Sequence, residues 1–286
     1  MLLVVLLHAV AAAVVFAGCR ARPRLGVALG VGVFATTALV VIVEGVGAGT
    51  PPVDSWDWVP DLGLRLALRL DGFAVAMLLV VSVIGAIVLA YAGAYFYHDA
   101  TFVRFVGLFV AFAGAMSGLV ASADLFTMFV FWELTSVCSF LLIGLNDRSA
   151  TARTAAVRAL LVTGAGGLCL LAAVMLLQVA VGTTDFTSLA TTHPSGSMVT
   201  TAAMLALVGA LTKSAQFPFH FWLPGAMAAP TPVSAYLHSA TMVKAGIVLM
   251  ARLAPVFGEL AVWRWTVVLC GGTTMLLGGA RAMRQT

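Results

Sequence analysis

Apolar stretches of about 20 residues recur along the whole chain, and this pattern restricts the possible fold more than any other feature. A helix needs about 20 apolar residues to cross the hydrocarbon core of a bilayer. Of the 286 residues, 62% are hydrophobic and 9% are charged, and the mean hydropathy is +1.09. Soluble domains carry far more charge. We therefore predict an all-α, polytopic transmembrane protein with about nine spans.

The predicted spans lie at about residues 2–18, 25–46, 73–95, 102–121, 125–145, 159–181, 198–229, 233–254 and 262–279. We expect the first span to be retained, because the first cation, Arg20, follows the apolar stretch, whereas a cleaved signal has its basic residues before it. The longest polar connection, residues 47–71, contains Trp56 and Trp58 and is typical of a loop at headgroup level. Within it, residues 62–70 could form an interfacial helix or a strand.

The arginines indicate the orientation of the chain. If the N-terminus is outside, the cytoplasmic loops contain Arg20, Arg22, Arg24, Arg104, Arg148, Arg153, Arg158, Arg281 and Arg284. The outer loops then contain Arg65, Arg69, Arg252 and Arg264. The positive-inside rule favours this arrangement in the plasma membrane, with the C-terminus in the cytoplasm. The formal charge of +4 therefore reports topology and does not indicate a nucleic-acid partner.

The only two lysines, Lys213 and Lys244, lie within sequence that is otherwise typical of membrane spans. Four prolines interrupt the apolar sequence between them: Pro218, Pro224, Pro230 and Pro232. A helix broken at membrane depth is tolerated where it lines a polar cavity, and such breaks are typical of transport sites. A lysine near mid-span usually marks an ion or proton path. The alternative is that each lysine extends to the membrane interface.

Glu133 is the only glutamate that we place near the middle of a span, about 12 Å from the start of the fifth. An opposing ammonium would keep a buried carboxylate ionised, and Lys213 is the partner that we propose. Ser136, three residues further on, could help to solvate the carboxylate. The alternative is a contact between helices with no transport role.

Two histidines are candidates for proton transfer. His238 lies about 9 Å before Lys244 along the eighth span and could connect the two lysines as a relay. His220 lies in the break itself, where it could take part in transport or only cap a half-helix. Structural or interfacial positions are expected for the remaining histidines, His8, His98 and His193. The cysteines lack metal or redox spacing and are expected to be packing residues: Cys19, Cys138, Cys169 and Cys270.

Three segments resemble one known family. They are Phe-Trp-Glu-Leu-Thr-Ser at residues 131–136, the lysine- and proline-containing segment 212–224, and the segment 229–246 that ends in Met-Val-Lys-Ala-Gly. The chain resembles the antiporter-like membrane subunits that are shared by multi-subunit Mrp-type sodium/proton antiporters and the proton-pumping arm of respiratory complex I. The first segment is most similar to the large A subunit of the Mrp antiporter.

The resemblance implies a Glu133–Lys213 ion pair and a proton path that continues through His238 and Lys244, with His220 as a further candidate. It also implies two inverted five-helix repeats. Residues 102–256 would be the first repeat, residues 1–101 would form N-terminal membrane helices, and residues 257–286 would begin a second repeat that is almost entirely missing. We therefore expect the chain to be a fragment or one piece of a split subunit.

Three functions follow from these observations. The first is a subunit of a monovalent cation/proton antiporter, a secondary transporter with no enzyme activity. The second is a proton-pumping subunit of a complex I-type NADH:quinone oxidoreductase, and the third is an architectural membrane subunit. The sequence has no haem, flavin, nicotinamide or iron–sulfur motif, so we predict no cofactor. The expected partners are other membrane subunits, protons, a monovalent cation and the lipid bilayer; no cation site is evident.

Overall fold

The computed structural model describes residues 1–19, 22–45, 53–59, 64–96 and 101–284, and it confirms the predicted helical membrane architecture. The helices are α1 Leu2–Gly18, α2 Pro23–Gly45, α3 Gly72–Tyr95, α4 Phe102–Ala121, α5 Leu125–Ile143, α6 Ala150–Val181, α7 Phe186–Thr192, α8 Ser197–Lys213, α9 Trp222–Ala226, α10 Thr231–Ser234, α11 Met242–Phe257 and α12 Ala261–Ala282. Arg20 and His98, whose positions were predicted from the sequence, lie outside the described residues.

Six helical stretches of the described chain are long and apolar enough to cross a membrane. They are Pro23–Gly45, Gly72–Tyr95, Phe102–Ala121, Leu125–Ile143, Ala150–Val181 and Thr231–Phe257. Helices α1 and α8 are also apolar, but each has 17 residues. The chain is thus a multi-pass membrane protein, and the predicted count of nine spans is not confirmed.

A β-hairpin covers one end of the helices. Strand β1, Val53–Val59, pairs antiparallel with β2, Leu64–Arg69. The hairpin is attached to α5, because Thr127 Oγ1 accepts the Ala67 N–H at 2.9 Å. For residues 64–69, strand is thus the correct one of the two alternatives. The interpretation as a loop is wrong for residues 53–59, which contain Trp56 and Trp58 and form β1. Strand pairing depends on a partner from elsewhere in the chain, which the local pattern does not reveal.

Helix α6 begins nine residues earlier than predicted, at Ala150, so the segment interpreted as a basic connection is helical. Ser149 caps it by accepting the Ala152 N–H through its side chain. The helix has 32 residues and is about 48 Å long, whereas the hydrocarbon core is about 30 Å thick. Its first turns therefore extend beyond the apolar stretch.

The predicted break in the seventh span is present and begins directly after Lys213, the last residue of α8. Ala215 adopts the left-handed conformation, with φ +49°, and the Gln216 N–H donates to the Leu211 carbonyl at 3.0 Å. This bond closes the end of the helix. Pro218 has no N–H to donate, so the chain continues as turns before the short helix α9.

The following span contains a π-helical segment, Ala235–Thr241, between α10 and α11. Its fully buried Tyr236 stacks on Phe109 of α4 with ring centroids 4.3 Å apart. The Tyr236 hydroxyl donates to the Val81 carbonyl of α3 at 3.0 Å. Tertiary contacts therefore hold the π segment against the N-terminal helices.

At the hairpin end, Arg252 of α11 binds the start of α3. Its guanidinium donates two hydrogen bonds to the Asp71 carboxylate, and a further one to the Val120 carbonyl at 3.2 Å. Burial alone would raise the pKa of Asp71. The hydrogen bonds from Arg252 and the Ala74 N–H, with the charges of Arg252 and Arg69, hold this pKa below its ordinary value of 3.8.

We predict that Arg252→Ala lowers the stability of the purified protein by about 1.5–3 kcal/mol, the usual contribution of hydrogen bonds to a charged group. Because the folded-state pKa of Asp71 is lowered, the contribution is present above pH 3.8 and is lost as the pH falls through the lower folded value. Thermal unfolding in detergent at several pH values measures this. Arg264→Ala, on the exposed side of α12, is the control, and an equal loss of stability in both variants would contradict the prediction.

Candidate functional site

Lys213 is the centre of the candidate site. Its side chain is fully buried, and its Nζ donates to the Trp132 carbonyl of α5 at 2.8 Å and to Ser136 Oγ at 2.7 Å. The same Nζ lies 4.9 Å from the centroid of the Trp132 ring. Its position at the C-terminal end of α8 is one that favours a cation. A lysine ammonium has three N–H donors, so one remains available after these two bonds.

Glu133 lies beside this ammonium but does not touch it. Among the described residues, no ion pair within 4.0 Å joins Glu133 to Lys213. Glu133 Oε1 is buried without a hydrogen-bond partner, and the carboxyl group packs on Gly167 of α6, where an added Cβ would collide with it. Ser136, which we expected to solvate Glu133, instead accepts from Lys213. The two groups thus share one site without direct contact.

His238 lies in the π segment, close to the break but without a direct bond to either lysine. Its side chain is buried, and neither ring nitrogen has a hydrogen-bond partner among the described residues. The ring contacts Trp222 edge to face, with centroids 6.0 Å apart. Trp222 Nε1 in turn donates at 2.9 Å to the carbonyl of Thr212, the residue before Lys213. Sequence reasoning did not identify this intermediate tryptophan.

Lys244 is exposed, so the expectation of two buried lysines holds for Lys213 alone. Two residues further on, Gly246 packs on α8, where an added Cβ would collide with the Ala210 carbonyl and Ser214 Oγ. Residues two apart on a helix point about 200° apart, so Lys244 faces away from α8. Its Nζ donates to the Ser239 carbonyl at 2.6 Å.

Ser214 connects the two lysine-bearing helices, a contact that sequence reasoning missed. It directly follows Lys213, and its hydroxyl donates to the Val243 carbonyl, just before Lys244, at 2.6 Å. A serine next to a lysine is too common a pair to predict such a contact. The bond holds the beginning of the break against α11.

The other histidines occupy different surroundings. His220 lies in the turn Phe219–Phe221 of the break, half-buried, with its ring stacked on Phe217 at 6.1 Å and its Nδ1 without a partner among the described residues. His8 is buried in α1, and its Nδ1 lies 2.9 Å from the Val4 carbonyl. His193 is exposed at the end of α7.

The chain matches two family models. The first, described as NADH:quinone oxidoreductase/Mrp antiporter, TM, matches residues 122–286. The second, described as NADH-Ubiquinone oxidoreductase (complex I), chain 5 N-terminus, matches residues 56–106. The first covers more than half of the chain and includes all five residues proposed for the site.

Two curated relatives resemble the chain over most of its length. It is 49% identical over 235 residues to the probable A/B subunit of a K(+)/H(+) antiporter of Rhizobium meliloti, covering 80% of this chain and 23% of that protein. It is 43% identical over 232 residues to the A subunit of the Na(+)/H(+) antiporter of Alkalihalophilus pseudofirmus, covering 80% and 29%.

The structure of the Mrp complex from Dietzia sp. contains a chain that is 39% identical, with a TM-score of 0.88. The match covers 98% of this chain and 31% of that one. The chain thus spans about a quarter to a third of the length of these proteins. It belongs to the NADH:quinone oxidoreductase/Mrp antiporter transmembrane family.

Proposed function

We propose that the chain is part of a multi-subunit monovalent cation/proton antiporter in the plasma membrane, in which it carries protons through the buried groups around Lys213. The observation that carries the proposal is the fully buried ammonium at a broken helix, bound only to neutral groups and next to the unpartnered carboxyl oxygen of Glu133. An isolated buried charge is too costly to retain without a role or a partner. The names of the relatives support a cation/proton exchange.

In the proposed mechanism, Lys213 takes or releases a proton as Glu133 moves. The free third donor of the ammonium can bind the carboxylate when the Glu133 side chain turns from Gly167 toward Lys213, and this opposing charge favours the protonated lysine. When the carboxylate turns back, burial favours the neutral amine, which releases its proton. Each elementary charge that crosses the membrane gains or costs about 2.3 kcal/mol per 100 mV.

The proton next moves toward His238, whose neutral ring has one unpartnered nitrogen that can accept it. Trp222 lies between the Thr212 carbonyl and the His238 ring, so the indole has to shift or a water molecule has to bridge the gap. Lys244 follows along the helix on the exposed side, and His220 lies within the break on the same route.

The N-terminus is outside and the C-terminus is cytoplasmic in this proposal, and other membrane subunits cover the exposed lysine.

Inverted vesicles that contain the complete complex test this function. Respiration acidifies their lumen, and sodium, potassium or choline is then added while the pH gradient is followed. A loss of the gradient with sodium or potassium but not with choline is expected. If neither cation has an effect, the exchange is refuted.

The match of residues 56–106 to a complex I family model favours the second candidate function, a proton-pumping subunit of an NADH:quinone oxidoreductase. The same vesicles separate the two functions. A pumping subunit would make NADH-driven acidification itself depend on Lys213, with no response to added cations. Redox groups would then reside in partner subunits.

Gly167 offers a prediction about the space that Glu133 needs. We expect Gly167→Ala to displace the carboxylate and to lower cation-dependent proton transport about 5- to 150-fold, the effect of overpacking by about 1–3 kcal/mol. The control is Gly164→Ala, one turn earlier on α6, where an added Cβ meets nothing within 4 Å. Equal transport rates in the two variants at equal abundance would contradict the prediction.

A further inference from the structure

The first turns of α6 carry an open groove that the transport site does not use. Six residues line a volume of about 610 Å³: Arg153, Thr154, Val157, Arg158, Leu161 and Val162. Thr154 and Arg158 also line an adjoining groove of about 420 Å³, which reaches Gly225 of α9. The two grooves lie at the end of the helices opposite the hairpin, because α5 starts at the hairpin and α6 starts where α5 ends.

The positions of Arg153 and Arg158 along α6 place both side chains at the membrane interface. Arg158 directly precedes 23 residues, 159–181, without a charged side chain. At 1.5 Å per residue this stretch is about 35 Å long, enough to cross the hydrocarbon core. Arg153 lies more than one turn further out. Both guanidinium groups are therefore at the level of lipid headgroups.

The charge of the groove is not neutralised by the described residues. Arg158 forms no hydrogen bond or ion pair with any residue that the structure describes. Arg153 donates to the Asp147 carbonyl at 2.6 Å, which leaves its other donors free. The nearby Asp147 carboxylate is bound by Arg104 at 3.2 Å. Two cations thus face the same groove without a carboxylate of their own.

An apolar stripe continues from the arginines along α6. Val157 and Leu161, one turn apart, are 46% and 67% exposed, and Leu168 and Met175 extend the stripe at intervals of seven residues. Helical positions at these intervals lie on one face. A hydrocarbon chain would cover this stripe while a headgroup remained at the arginines.

We propose that this groove binds an anionic phospholipid, with its phosphate held by Arg153 and Arg158 and an acyl chain along Val157, Leu161 and Leu168. Arginine binds phosphate through paired N–H donors, and basic pockets on membrane helices attract anionic headgroups. Two cations match a headgroup with a net negative charge, whereas a zwitterionic headgroup supplies its own cation. The apolar stripe makes a lipid a better match than free phosphate.

The test uses the complete complex, delipidated in detergent and titrated with phosphatidylglycerol in mixed micelles, with bound lipid measured by native mass spectrometry. We expect Arg153→Gln and Arg158→Gln each to weaken binding about fivefold, and the double variant about thirtyfold, at the usual contribution of a basic residue at a membrane surface. Arg148→Gln is the control, because this exposed arginine lies outside the groove. We expect the affinity of the Arg148→Gln variant for phosphatidylglycerol to stay within about twofold of the wild-type affinity.

Several results would overturn the proposal. They are unchanged affinity in the double variant, equal binding of phosphatidylcholine, and full competition by inorganic phosphate. A further measurement places a cysteine by Leu161→Cys and adds a bifunctional cross-linker. Cross-linking to a neighbouring subunit would show that protein covers the groove and would overturn the proposal. If a lipid occupies the groove, we expect the Leu161→Cys variant to react instead with a thiol-reactive phospholipid.

Discussion

Replacing Lys213 by alanine is expected to reduce cation-dependent proton transport to the background of vesicles that lack the complex. The substitution removes the only fully buried ammonium of the described chain and its hydrogen bonds to the Trp132 carbonyl and Ser136 Oγ. The Trp132 carbonyl still accepts from Thr135 Oγ1 and Ser136 Oγ. Hydrogen bonds to a charged group contribute about 1.5–3 kcal/mol, so some loss of stability accompanies the loss of transport. Vesicle assays with sodium and potassium, normalised to the amount of this chain in the membrane, measure the effect.

Lys213→Arg separates a proton carrier from a structural cation. A guanidinium keeps the charge and the hydrogen bonds to α5, but it does not release its proton in a protein. If Lys213 carries protons, the arginine variant assembles and is inactive. Transport that persists in Lys213→Arg would mean that the cation only holds α5 against α8, and the proposed mechanism would then be wrong.

Those parts of the fold that depend on local signals were predicted from the sequence. The length of the apolar stretches predicted the long helices. Pro218 and the neighbouring prolines predicted the break that the structure places directly after Lys213. The start of α6 was missed because Arg153 and Arg158 suggested a loop, whereas arginine is a good helix former at the membrane surface. The hairpin was predicted only in part: strand was one of two alternatives for residues 62–70, whereas β1, which pairs with β2, was interpreted as a loop.

The positions of the candidate site residues were predicted less completely than their identities. Charge within apolar sequence singled out Glu133 and Lys213, and both lie at one site between α5, α6 and α8. The bond from Lys213 to a backbone carbonyl could not be foreseen, because a carbonyl is present at every residue. The exposure of Lys244 depends on which face of α11 packs on α8, and Gly246 lies on the face that does.

Replacing Glu133 by glutamine is expected to lower transport at least about tenfold, which corresponds to a barrier raised by about 1.4 kcal/mol. The amide has nearly the same shape as the carboxyl group, so it still fits against Gly167. It carries no charge that can stabilise the protonated Lys213 or drive its release when the side chain moves. The same vesicle assay, run over a range of pH values, measures the change.

The control for this variant is Glu259→Gln, which removes a carboxylate from an exposed position between α11 and α12. It is expected to transport at the wild-type rate. Glu133→Asp adds a second comparison, because it keeps the charge but withdraws it by one methylene from both Gly167 and Lys213. If charge is what matters, the aspartate variant retains more activity than the glutamine variant. If glutamine is as active as glutamate, Glu133 acts only by filling the space between α5 and α6, and Lys213 must exchange its proton without an opposing charge.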